Sequence, residues 1–103
     1  MSNSAGSMYE LGPGSSLRRI EGIAWRVIEE EAVLVNVRSD EVMHLNTSAS
    51  FLWSSLDGVL SLEDIARSMT EEYEVTLEEA LADAVVFAGM LVEKGVAEVV
   101  GLE

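Results

Sequence analysis

The chain has 103 residues, 49% of them hydrophobic, with nineteen Asp or Glu against six Lys or Arg and a formal net charge of -13. That length fits one domain, and the apolar share is too high for a disordered chain in spite of the charge. The acidic excess works against binding to nucleic acid or an anionic membrane, both of which call for neutralising Lys and Arg, and the absence of cysteine excludes disulfides, thiolate nucleophiles and thiolate metal sites.

Residues 1–16 are rich in Ser, Gly and Asn, and Pro13 stands between Gly12 and Gly14. This stretch reads as a flexible lead-in with too little apolar surface to offset the cost of ordering it. The expected division is a flexible N-terminal segment over 1–19 and a folded domain over 20–100. No apolar run reaches the roughly 18 residues a membrane span needs, and no basic stretch followed by an apolar one marks a signal peptide. The expectation is a cytoplasmic protein.

Ile23, Trp25 and Val27 alternate, and 32–37 is apolar and mostly β-branched, with Glu29-Glu30-Glu31 between. These predict a first strand at about 23–29 and a second at about 32–37, joined by a tight acidic turn. Arg38-Ser39-Asp40-Glu41 forms a second polar turn, and Val42-Met43-His44-Leu45 a short third strand. Connections this short cannot be crossovers, so the strands form an antiparallel meander.

Asn46 then has the character of a helix N-cap. Ala49, Leu52, Trp53 and Leu56 lie on one face of a first helix, and Asp57-Gly58 is expected to stop it, the glycine supplying a left-handed C-terminal turn. Ser61 with Asp64 opens a second helix as a variant capping box, and Thr76 with Glu79 opens a third that runs to about Lys94 and ends at Gly95. A short terminal strand at 96–100 is expected. Together these give an α+β domain, winged helix-turn-helix-like, with a three-stranded antiparallel sheet followed by three helices.

The residues offer little catalytic chemistry. The single histidine, His44, has no cysteine or oriented serine for company, and the carboxylates lie in runs typical of solvated faces and helix N-termini. There is no Asp-x-Asp-x-Asp-Gly loop and no glycine-rich phosphate loop. No catalytic residue, metal ligand or cofactor is assigned.

The third helix is more informative. At about 100° per residue, Leu77, Ala80, Leu81, Ala84, Val85, Phe87, Ala88, Leu91 and Val92 share one arc, opposite Glu78, Glu79, Asp83 and Glu93. Val86 and Met90 interrupt the polar arc. They lie four apart and about 40° apart around the axis, so they touch and form an apolar ridge edged by Asp83 and Phe87. Methionine suits an adaptable partner surface. If the third strand is a sheet edge, a foreign segment can add to it, with backbone bonds giving affinity and the neighbouring helix giving specificity. The candidate peptide-binding set is Val42, Met43, His44, Leu45, Asp83, Val86, Phe87 and Met90.

Leu45-Asn46-Thr47-Ser48-Ala49, Leu52-Trp53 and Leu56-Asp57-Gly58 together resemble the signature of the PqqD-like family, coenzyme PQQ synthesis protein D and its relatives. Leu62 to Ala66, Tyr73-Glu74-Val75, Glu79, Asp83, Phe87, Leu91 and Gly95-Val96 fit as well, so the likeness covers about residues 20–100. The resemblance implies a small winged-helix-like, non-catalytic recognition element. Such an element binds the leader segment of a ribosomally made precursor peptide as an added strand and presents it to a modifying enzyme, often of the radical-SAM type. Leu45, Asn46, Trp53 and Gly58 would then serve the fold. Two further readings stand beside it. One is a winged-helix transcription regulator, although residues 61–83 hold eight acidic residues and only Arg67 on the basic side. The other is a dimerisation module in which Val86 and Met90 meet a second copy. The chain is accordingly expected to act as a monomer or homodimer.

Overall fold

The computed structural model describes residues 11–100. In chain order the elements are β1 (Ser16–Arg19), β2 (Ile23–Ile28), β3 (Glu31–Asn36), β4 (Glu41–His44), α1 (Thr47–Ser55), β5 (Asp57–Ser61), α2 (Leu62–Glu72), α3 (Leu77–Glu93) and β6 (Ala97–Val99). Three helices and two three-stranded antiparallel sheets, ordered β5-β1-β6 and β2-β3-β4, make the α+β class expected from the sequence.

The meander β2-β3-β4 follows the sequence pattern. Trp25 faces Leu34, and Leu34 faces Met43, so alternate residues share an inner face on the helices. The turn between β2 and β3 is built from Glu29 and Glu30, at φ 51° and 70°. A two-residue hairpin needs this left-handed backbone, which glycine or asparagine normally supplies. Two glutamates here carry both steric strain and mutual repulsion.

The second sheet differs from the sequence expectation. The sequence pattern places residues 1–19 in the flexible segment, yet Ser16–Arg19 form the central strand of β5-β1-β6, with Leu17 fully buried. Its partners lie far along the chain, with Arg18 opposite Asp57 on one side and Glu98 on the other. A four-residue strand with one apolar side chain has no local signature; the pairing alone creates it. The preceding turn also does structural work, because the carbonyls of Pro13 and Ser15 accept hydrogen bonds from the backbone N–H groups of Glu63 and Leu62 at 2.9 and 2.8 Å. Those are amides at the start of α2 that have no partner within the helix. Residues 1–10 lie outside the described residues.

The expected stop of the first helix needs correcting too. α1 ends at Ser55, and Leu56 is its buried C-cap, donating to the Trp53 carbonyl. Gly58 does take a left-handed backbone, at φ 83°, but within β5 rather than at a helix end. Asp57 shapes this bend by accepting from the amides of Val59 and Leu60, both at 2.9 Å. The two capping boxes form as expected, Ser61 with Asp64 and Thr76 with Glu79.

One core joins the layers. Leu52 and Trp53 of α1, Leu62, Ile65 and Met69 of α2, and Ala80, Ala84, Ala88 and Leu91 of α3 are buried with Leu17 and Leu34. The alanine stripe on α3 lets α2 approach closely. Arg19 ties the sheets to α1. Its guanidinium donates to the Trp53 and Ser54 carbonyls at 2.9 and 3.2 Å, and it lies 5.1 Å from the ring of Trp25 and 5.9 Å from that of Trp53. A cation at the C-terminal end of α1 is favourable both to its carbonyls and to the π faces.

Two predictions follow from these turns. Glu30→Gly removes a left-handed glutamate at the cost of some unfolded-state entropy, and should raise stability by about 0.5–1 kcal/mol, measured as a higher urea midpoint. The amides of Leu60 and Val59 hold the Asp57 carboxyl below its ordinary value of 3.8. A lowered folded-state pKa adds stability that is present above that value and is lost as pH falls through the lowered one. Urea midpoints should therefore fall less for Asp57→Asn than for the wild type on going from about pH 5 to about pH 2.

Candidate functional site

Among the described residues β4 pairs with β3 alone, so its other side is an open sheet edge there. The phase of the β3–β4 ladder decides which groups that edge offers. The Leu45 amide donates to the Ala32 carbonyl at 2.9 Å. In the opposite direction a side chain is inserted: the Ser50 hydroxyl, on α1, accepts from the Ala32 amide at 2.6 Å and donates to the Leu45 carbonyl at 3.1 Å. Ala32 and Leu45 are thus a bonded pair. Antiparallel strands alternate, so Leu34–Met43 and Asn36–Glu41 also bond across, while Val33–His44 and Val35–Val42 do not. The amides and carbonyls of Val42 and His44 therefore point away from β3, two donors and two acceptors along the free edge.

Side chains alternate in the same rhythm. Val42 and His44 stand on the outer face of the sheet and are exposed, Val42 to 55%. Met43 is half-buried on the inner face, packed against the core, and Glu41 is exposed on that same face. Leu45, placed in the candidate peptide-binding set but given to the fold by the family resemblance, is only 4% exposed, so its side chain holds the end of β4 in the core rather than lying open with Val42 and His44.

On α3, Val86 is 67% exposed and Asp83 is exposed, while Phe87 and Met90 are half-buried against the core that also takes Met43. The ridge expected from helix arithmetic is therefore real at Val86 and sunk at Met90. Beside His44 lies an open hollow of about 430 Å³, lined by Ile28, Glu29, Glu31, Val33 and His44. A second hollow, of about 230 Å³, sits on the outer sheet face between β2 and β3 over Ala24, Ile28, Val33 and Val35. A third, of about 250 Å³, lies between the β2–β3 turn and α1, where Phe51 and Tyr73 meet edge to face. Burial, then the charges of Glu30 and Glu72, raises the Tyr73 phenol above its ordinary value of 10.0. α3 lines none of these three, so its apolar strip is a surface rather than a pocket.

Among the described residues, no group of three or more His, Cys, Asp or Glu is placed to hold a metal ion. Nor is any described helix long and apolar enough to cross a membrane. The sequence reading missed Ser50, whose role depends on a helix and two strands meeting. It also left open which of the β4 backbone groups are free.

The family model for coenzyme PQQ synthesis protein D (PqqD) matches residues 31–97, from the start of β3 to the start of β6. The chain belongs to the PqqD family. Two solved structures share the fold of this PqqD-family chain. One is described as TbiB1 in complex with the TbiA(beta) leader peptide; it is 23% identical, with a TM-score of 0.72, covering 84% of this chain and 98% of that one. The other, lasso peptide synthetase B1 complexed with the leader peptide, is 30% identical, with a TM-score of 0.71, covering 81% and 98%. No curated protein sequence matches the chain.

Ser50→Ala would leave the buried Ala32 amide without a partner. It should cost about 1–3 kcal/mol of stability and speed amide hydrogen exchange at Met43 and Leu45 beyond the global change.

Proposed function

We propose that this PqqD-family chain binds the leader segment of a ribosomally made precursor peptide as a fourth strand along β4, flanked by α3, and presents it to a modifying enzyme without performing chemistry itself. The observation that carries the reading is the row of outward-pointing amides and carbonyls at Val42 and His44. An extended peptide can satisfy all four groups, with side-chain contacts to Met43 beneath it and to Phe87, Met90 and Val86 on the helix. Family membership supports it. So does the likeness to two structures described with a leader peptide bound, one of them 30% identical to this chain. Asp83 borders the same helix surface and would face the guest's polar groups.

The family resemblance favours a radical-SAM enzyme as the partner. A DNA-binding role for the α2–α3 pair is disfavoured by the acidic residues along both helices.

Val42→Pro tests the reading directly. It removes one outward N–H, while the β3 ladder, which uses Met43 and Glu41, is untouched. Affinity for a synthetic leader peptide that the wild-type chain binds should fall about tenfold, the worth of roughly one hydrogen bond. Met90→Asp should weaken it as well. In NMR titration the Val42 and His44 amides should shift on binding; a bound leader that leaves both unmoved would rule out strand addition at this edge.

A further inference from the structure

The same edge carries information about which peptides it accepts. A strand added to β4 places its side chains opposite those of β4 on the same faces. The guest residue opposite Met43 points to the inner face and presses toward the core. The one opposite Val42 joins an outer face where Val42 stands beside Val35, with Val33 and Ile28 further along. Both positions favour apolar or β-branched side chains.

The inner-face position two residues from the Met43 partner lies opposite Glu41. This carboxylate is exposed, and neither of the ion pairs among the described residues, Arg18–Glu98 and Arg67–Glu63, involves it. Asp40 sits beside it, at φ 61° in the β3–β4 turn, and Arg38 in that turn is the nearby basic residue in sequence. The net charge of -13 adds a long-range field of the same sign.

Resting on the strand-addition reading, we propose that Glu41 is a specificity-determining residue that selects leader segments carrying a Lys or Arg next to a pair of apolar residues. The basic side chain sits opposite Glu41, and the apolar pair sits opposite Val42 and Met43. Because Glu41 is the first residue of β4, it meets the end of the guest strand. An antiparallel guest reads apolar-apolar-basic, and a parallel guest reads basic-apolar-apolar. The chemistry recognised is an extended basic-apolar peptide, with binding that weakens as salt rises.

The test uses the full chain and two labelled synthetic peptides of twelve residues, read by fluorescence anisotropy at low and high salt. Both hold a Val-Ile pair, flanked on each side by Lys in one peptide and by Glu in the other, so either strand direction is sampled. The Lys peptide should bind about five- to tenfold tighter at low salt. Glu41→Lys should abolish or reverse that preference, and Glu41→Gln should reduce it. Glu41 is exposed, so neither variant threatens the fold, and far-UV circular dichroism checks this. Equal binding of the two peptides, or a preference unchanged in Glu41→Lys, overturns the role of Glu41 while leaving strand addition intact. Binding of neither peptide overturns this inference as well, while strand addition stands or falls on the leader titration of the Val42 and His44 amides.

Discussion

A single hydroxyl fixes the open sheet edge of this protein. Ser50 stands where α1 crosses the end of the β3–β4 ladder, takes the Ala32 amide and passes a hydrogen bond to the Leu45 carbonyl. Buried backbone groups cannot go unpaired cheaply, so this bridge sets where the strands end and in what phase they pair. Slipping the phase by one residue would turn the free groups of Val42 and His44 inward, put Met43 on the outer face and bring Val42 into the core. The open edge is thus a consequence of helix packing, not of β4 alone.

The rest of the architecture holds α1 in place. β1 threads between β5 and β6, which brings residues near both limits of the described chain into one sheet. From the end of β1, Arg19 reaches the carbonyls at the end of α1 and lies against both tryptophan rings, themselves edge to face at 5.8 Å. Trp53 is buried in the middle of this arrangement. The Asn46 cap at one end of α1 and Arg19 at the other leave the helix little freedom to shift, so Ser50 stays on its ladder.

The acidic surplus lies mainly on solvated positions and at helix starts, where Glu63, Asp64, Glu78 and Glu79 suit the positive ends of α2 and α3. Its effect is felt at a distance. A charged partner approaching this surface meets a negative field, while the groups open along the β4 edge are backbone amides and carbonyls with no net charge.

The sequence by itself was enough for much of this. The alternation in 23–37, the capping boxes at Ser61 and Thr76 and the apolar arc of α3 are local patterns, and each became the element it predicted because propensity, periodicity and capping act over a few residues. The family likeness was also readable, since Asn46, Trp53 and Gly58 keep fixed spacing even though Gly58 bends a strand rather than ending a helix. What only the tertiary structure decided were the features made by distant partners: β1, whose strand character comes from residues near 57 and 98; the burial of Leu45; and the outward phase of Val42 and His44. These depend on hydrogen bonds between segments far apart in the chain, and no window of neighbouring residues carries that information.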